Sequence, residues 1–171
     1  MHPESFGDAF IKECERRLFD ESLPRLKKCL SLLTDEEIWF RPNSKTVSVG
    51  NLVLHLCGNV GQWIISTLSG VADTRERSEE FAESGPIPIT VLLQRLDETM
   101  NQARSVMQNL DPTTLLDKTT VQGFEESGIS ILLHVVEHFS YHVGQIVYFV
   151  KSKKATDLAF YKGIDLNKTA G

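Results

Sequence analysis

Residues 131–151 read ILLHVVEHFSYHVGQIVYFVK and hold three of the chain's five histidines, His134, His138 and His142. They recur every fourth residue, and at about 3.6 residues per helical turn that spacing puts all three on one face. Val135, Phe139, Val143, Ile146 and Val150 flank this polar seam. A helix so apolar around its circumference is expected to be buried. Buried imidazoles need partners, because an unpaired buried polar group costs about 1–3 kcal/mol. A divalent metal is one such partner, since histidines four apart can reach a single ion. Both His134/His138 and His138/His142 have this spacing, and His138 is common to the two pairs. The glutamate of the HExxH protease motif is missing. The alternative is a set of core histidines bonded to nearby hydroxyls and backbone.

A second apolar helix is expected over residues 48–69, with Ser48 as N-cap and Val49, Leu52, Val53, Leu56, Val60, Trp63 and Ile64 as its core stripe. His55 sits at the edge of that stripe, with Asn59 and Gln62 on the same side as possible partners for its ring. Gly58 and Gly61 weaken the helix and would admit a neighbouring backbone. Three histidines from two helices would leave a coordination position open, the arrangement of catalytic sites. Such a site acidifies a water or takes a substrate thiolate or oxygen. Imidazoles suit zinc, nickel, iron or copper.

The remaining elements complete an all-α chain. The first helix runs from about residue 3 or 4 to 33, with Pro3 in the first turn and a kink or break expected at Pro24. Its charged stretch ECERRLFDE reads as a solvated face. Thr34 and Glu37 have capping-box spacing, Trp39 and Phe40 should pack down, and Arg41-Pro42-Asn43 is a stop. Residues 70–89 form a charged connector of about twenty residues, long enough to cross a bundle and unusual enough to suggest function. The third helix is expected from Thr90 to about Asn109. Residues 119–124 alternate only weakly, and no sheet is expected. The fourth helix starts near residues 128–130 and ends near Lys153, followed by a short helical turn at 156–161 and a polar tail. Four long amphipathic helices make a four-helix bundle the natural architecture, and bundles build metal sites from facing helices.

Composition narrows the function. A chain of 171 residues suits one domain, residues 1–171, with a tail from about 155. A net charge of −5 with no basic stripe argues against nucleic acid. Three cysteines without paired spacing (Cys14, Cys29, Cys57) and a polar N-terminus predict a reduced, cytoplasmic protein. No apolar run approaches the ~20 residues of a membrane span.

The segments LLHVVEHFSYHVGQIVYFVK, SVGNLVLHLCGNVGQWI and LTDEEIWFRPNSKTVSVG, read together, resemble the DinB/YfiT-like family of metalloenzymes. His138, Tyr141, His142, Gly144, Gln145 and Ile146 match its last-helix signature, and His55 stands where its first ligand does. The resemblance covers about residues 32–151. It implies a four-helix bundle of up-down-down-up topology, with a long crossover between helices two and three, and a metal triad of His55, His138 and His142. His134 would then be an extra residue near the ion or lining the pocket. Relatives of this kind include thiol-dependent S-transferases and a thiol-dependent isomerase, and many are dimers. The expected protein is a metal-dependent transferase or isomerase using a low-molecular-weight thiol and a small-molecule substrate, with zinc, nickel, iron or manganese, and a homodimer. The alternatives are a small-molecule hydrolase and a non-catalytic dimeric module that binds metal for structure.

Tyr141 and His134 are the candidate catalytic side chains; for Tyr141 the plainer reading is a core tyrosine bonded to a carbonyl. Gln145 is a candidate to orient a ligand. Glu137 should face another helix or solvent. Cys57 reads as a buried free thiol, Trp39 and Trp63 as core, and His2 as a terminal residue.

Overall fold

The computed structural model describes residues 5–169. Pro3 and His2 lie outside them. Four long helices dominate, and each begins on a local sequence signal.

The first, α1, spans residues 6–30 as Phe6–Glu15, a π-helical segment Arg16–Ser22, and Leu23–Leu30. Ser5 caps it and shares a capping box with Asp8. The expected break at Pro24 does not occur. The wide turn before it, closed by Leu23 N–H donating to Leu18 O, absorbs the proline within one continuous helix. Its buried face is Ile11, Cys14, Leu18, Leu26 and Leu30, while Phe6 lies exposed. The charged stretch is solvated, with Arg16 and Arg17 paired to Glu13 and Glu21.

The short α2, Asp35–Trp39, starts from the Thr34/Glu37 capping box. The Trp39 indole N–H donates to Ile87 O at 2.9 Å, and its ring packs against Gly50 and Gly85. The second long helix, α3, covers residues 49–69, made of Val49–Val60, a π-helical Gly61–Ser66 and Thr67–Ser69. Ser48 is its N-cap, in a capping box with Asn51.

The connector after α3 is not one long loop. It contains a helix, α4, Arg77–Ala82, that packs on α3 and carries the buried Glu80. The third long helix, α5, is Ile89–Gln108, with Pro88 rather than Thr90 at its cap. It is followed by a hairpin, β1 Lys118–Val121 and β2 Phe124–Ser127, paired antiparallel with Val121 opposite Phe124. The weak alternation of residues 119–124 therefore does mark a strand. Its turn places Gln122 and Gly123 at positive φ, a conformation glycine adopts readily.

The last helix, α6, is Gly128–Lys154, capped by Ser127 and closed by three lysines in its final turn. Beyond it the short helical turn expected at 156–161 is absent, and the chain turns instead at residues 160–163.

α3 packs against α5 and α6, and α1 packs against α6 and α5. The core between them includes Leu18, Leu26, Leu30, Leu56, Ile64, Leu96, Ile131 and Phe139, all 0% exposed. Fully burying a side chain of this size contributes roughly 1.5–3 kcal/mol. α6 is not enclosed all round, because Leu133, Tyr141 and Tyr148 remain exposed along one side. Among the described residues no helix is long and apolar enough to cross a membrane.

Candidate metal centre

The seam between α3 and α6 gathers four histidines. The two helices run antiparallel along it. His55 faces His138 and His142, Asn59 one turn later meets His134, and Trp63 one turn beyond stacks on the same His134 ring. His55, His138 and His142 each bring a ring nitrogen to within 4.8 Å of the others. The Nε2 atoms of His55 and His138 are 3.1 Å apart.

Hydrogen bonds fix the outer sides of two of these rings. His55 Nδ1 lies 2.8 Å from Glu80 Oε2. Arg75 Nη2 also lies 3.1 Å from that nitrogen. The carboxylate contact is the shorter and a carboxylate only accepts, so the Glu80 bond is the one in which Nδ1 donates, which leaves the Nε2 lone pair facing inward. His142 Nδ1 likewise donates to Gln145 Oε1 at 2.8 Å. His138 Nδ1 is buried with no partner among the described residues, so this ring's polar contact lies on the Nε2 side, toward the other two.

Burial, followed by His142, His55, His134 and Arg75 as positive neighbours, pushes the His138 pKa down to about 3. His142 is also lowered, by burial first, with the Gln145 bond opposing. Neutral rings are the form that ligates metals.

The donor set fits a metal. With zinc–nitrogen bonds of about 2.0–2.1 Å, two ligands on a tetrahedral ion stand roughly 3.3 Å apart, close to the 3.1 Å found here. Ligating histidines commonly donate their second N–H to a carboxylate or carbonyl, as His55 does to Glu80 and His142 to Gln145.

Glu80 is the central residue that sequence reading missed. It is only 6% exposed. Burial pushes its carboxyl up, but hydrogen bonds from Arg75 and His55 outweigh that and hold it below its ordinary range. Arg75 grips both oxygens, Nε to Oε1 at 2.7 Å and Nη2 to Oε2 at 2.9 Å. Gln62 Oε1 accepts from Arg75 Nη1, and Gln62 in turn donates to Asp73.

Asn51 holds α4 in place. Its side-chain amide donates to Glu80 O and Glu83 O at 2.9 and 2.8 Å, and Arg41 also donates to Glu83 O. Gly58 leaves the room: a Cβ there would stand 1.9 Å from Glu80 Oε1. The close approach at Gly58 is thus to a side chain rather than a backbone, and Gly61 faces open space.

Several expectations need correction. Asn59 and Gln62 do not touch His55, whose partner is Glu80; Asn59 bonds His134 at 3.3 Å instead. His134 stacks on Trp63 with centroids 3.8 Å apart and stays outside the cluster of three. Tyr141 is not a core tyrosine. It is 64% exposed, edge-on to His142 at 5.1 Å. Gln145 accepts a hydrogen bond from His142 Nδ1, and Glu137 is exposed. Cys57 is a buried free thiol, pushed up to about 11 by burial. Trp63 is buried, as expected, and also forms a wall of the seam.

Fold and site together define a mostly helical protein with a three-histidine cluster, one ring buried and two half-buried, suited to a metal ion. A family model described as a protein of unknown function, DUF1572, matches residues 5–164, and the chain belongs to that family. No curated protein and no solved structure matches it.

Proposed function

We propose that the chain is a metal-dependent enzyme acting on small molecules, with His55, His138 and His142 as ligands of one divalent ion. The observation that carries this is the convergence of three ring nitrogens within 4.8 Å, with two of the rings pinned from behind by Glu80 and Gln145. Zinc, nickel, iron or manganese in this position would supply Lewis acidity and lower the proton affinity of a thiol or water.

The reaction we assign is thiol-dependent transfer or isomerisation, with a low-molecular-weight thiol as second cofactor. The sequence resemblance to DinB/YfiT-like enzymes supports that choice. His55 and His142 engage Glu80 and Gln145 through Nδ1 and turn their other ring nitrogens toward the cluster. His134, held by Asn59 and Trp63, borders the inner end of the seam, where it can bind a substrate or move a proton. Tyr141 places its hydroxyl at the exposed rim, where it can donate one.

The bundle reading belongs to the same proposal. Lys27 pairs with Asp97 and Arg104 lies over Phe19, which makes α1 and α5 antiparallel. The α3–α6 seam is antiparallel as well. Both pairings accord with up-down-down-up order and a crossover between α3 and α5. A homodimer in the cytoplasm completes the proposal.

The test loads the protein with zinc, nickel or manganese and assays cysteine and glutathione against a thiol-reactive aryl halide, with nitrophenyl esters alongside. Thiol-dependent turnover that disappears in His138→Ala supports the proposal. Thiol-independent ester cleavage would point to a hydrolase. Inactivity with every metal and substrate would favour a non-catalytic module.

A further inference from the structure

Resting on the metal-centre reading above, we propose that the outer end of the α3–α6 seam binds the body of the substrate, and that this body is a small apolar anion, aromatic or branched. A cavity of about 660 Å³ opens there, within the roughly 300–1,000 Å³ range of small-molecule sites. Phe40, Val47, Leu52, Tyr141, Tyr148 and Phe149 line it. Tyr148 and Tyr141 are 78% and 64% exposed, so this apolar surface is left uncovered by the other described residues.

Charge selects the ligand's sign. Among the described residues no carboxylate lines the cavity, whereas Lys45 does. A second ammonium, Lys153 Nζ, stands 4.5 Å from the centre of the Phe40 ring. An apolar body with a negative group matches this combination, and a cation does not.

The cavity reaches the histidine cluster through one shared residue, and no histidine is among its described lining residues. Gln145 lines it and accepts the hydrogen bond from His142 Nδ1. Leu52, on its floor, precedes His55 on the same face of α3. A molecule seated against Tyr148 and Phe40 would thus lie beside Gln145, one hydrogen bond from His142.

Gly144 adds independent support. It lies inside α6, where glycine is less favourable than alanine. A Cβ at this position would meet nothing within 4 Å, so packing within the chain does not demand glycine. The residue lines the cavity and keeps it open.

The experiment measures binding of 2-naphthoate and of 2-naphthylmethylammonium by calorimetry, to full-length protein with and without zinc, and determines zinc stoichiometry in the same samples. Naphthoate should bind at least tenfold tighter than the ammonium compound. Gly144→Leu, which fills the cavity, and Lys45→Glu should each weaken naphthoate at least tenfold while leaving zinc binding and circular dichroism unchanged. Zinc binding without naphthoate binding, or naphthoate binding undiminished in Gly144→Leu, overturns the cavity proposal and leaves the metal centre standing. Naphthoate binding without zinc binding overturns the metal centre, and with it the substrate assignment. A dimer in light scattering that Tyr148→Glu dissociates would show a second copy of the chain as the occupant, and also overturns the proposal.

Discussion

Glu80 Oε2 lies 2.8 Å from His55 Nδ1, and this contact decides which ring nitrogen of His55 faces His138. The carboxylate comes from a short helix in the α3–α5 connector. The glycine at position 58 leaves it room, and Arg75 neutralises it. The connector thereby contributes to the centre, although none of its residues belongs to the three-histidine cluster.

Removing that carboxylate should loosen the metal. Loss of a group that orients a ligating histidine typically costs 10–100-fold in metal affinity. Glu80→Ala is expected to weaken zinc by about that factor, and Glu80→Gln by less, because an amide oxygen can still accept from Nδ1. Competition titration against a chromophoric chelator measures both. Equal affinity in all three proteins would remove Glu80 from the centre.

Gly58→Ala should act through the same residue. The new methyl would stand 1.9 Å from Glu80 Oε1, so the carboxylate must move off His55. Zinc affinity should fall in the direction of Glu80→Ala, and the double variant should lose little beyond the single ones. Fully additive losses would show that Gly58 works elsewhere.

Asn51→Ala tests what seats the connector. It strips the donors from Glu80 O and Glu83 O and removes the acceptor that closes the Ser48 capping box. A cost of about 1–3 kcal/mol in denaturant unfolding is expected, with weakened zinc binding as a second readout. A change below about 0.5 kcal/mol would mean that these bonds are replaced by water.

Stability of the metal-free protein should depend on pH in a defined direction. Burial, then the neighbouring positive groups, lowers His138 from 6.5 to about 3; burial also lowers His134 and His142. The unfolded chain therefore takes up protons that the folded chain refuses. This contribution is fully present above pH 6.5 and is lost as pH falls toward 3. Glu80, with an ordinary value of 4.5 and a lowered one in the fold, enters only at the acid end of that range. Denaturant midpoints should drop between pH 7.5 and 5, and His138→Asn should flatten the slope. A flat profile in the parent protein would contradict the half-buried, neutral state of these rings.

Much of this arrangement was legible in the sequence. Histidines four apart on an apolar helix named the α6 side of the seam, and His55 on a second apolar stripe named the other. Ser48 and the Thr34/Glu37 pair marked helix starts that the structure keeps. Glu80 was not legible. It sits in the run RERSEE, where a buried carboxylate looks like its solvated neighbours until tertiary packing brings Arg75 and His55 to it. Gly58 was the available clue, a glycine inside a helix with no turn to explain it. Pro24 misled for a related reason, since a π turn can absorb a proline that local rules treat as a break. The exposure of Tyr141 and Tyr148 also eluded periodicity, which identifies apolar residues without showing whether anything covers them.

Metal stoichiometry tests the central claim most directly. Protein prepared without an immobilised-metal step, stripped, and incubated with zinc, nickel or manganese should retain a single equivalent of at least one of them after dialysis. His55→Ala, His138→Ala and His142→Ala should each lose it, whereas His134→Ala should keep it. Failure of the parent protein to bind any of the three metals, or retention of a full equivalent by the His55 and His138 variants, would contradict a three-histidine centre.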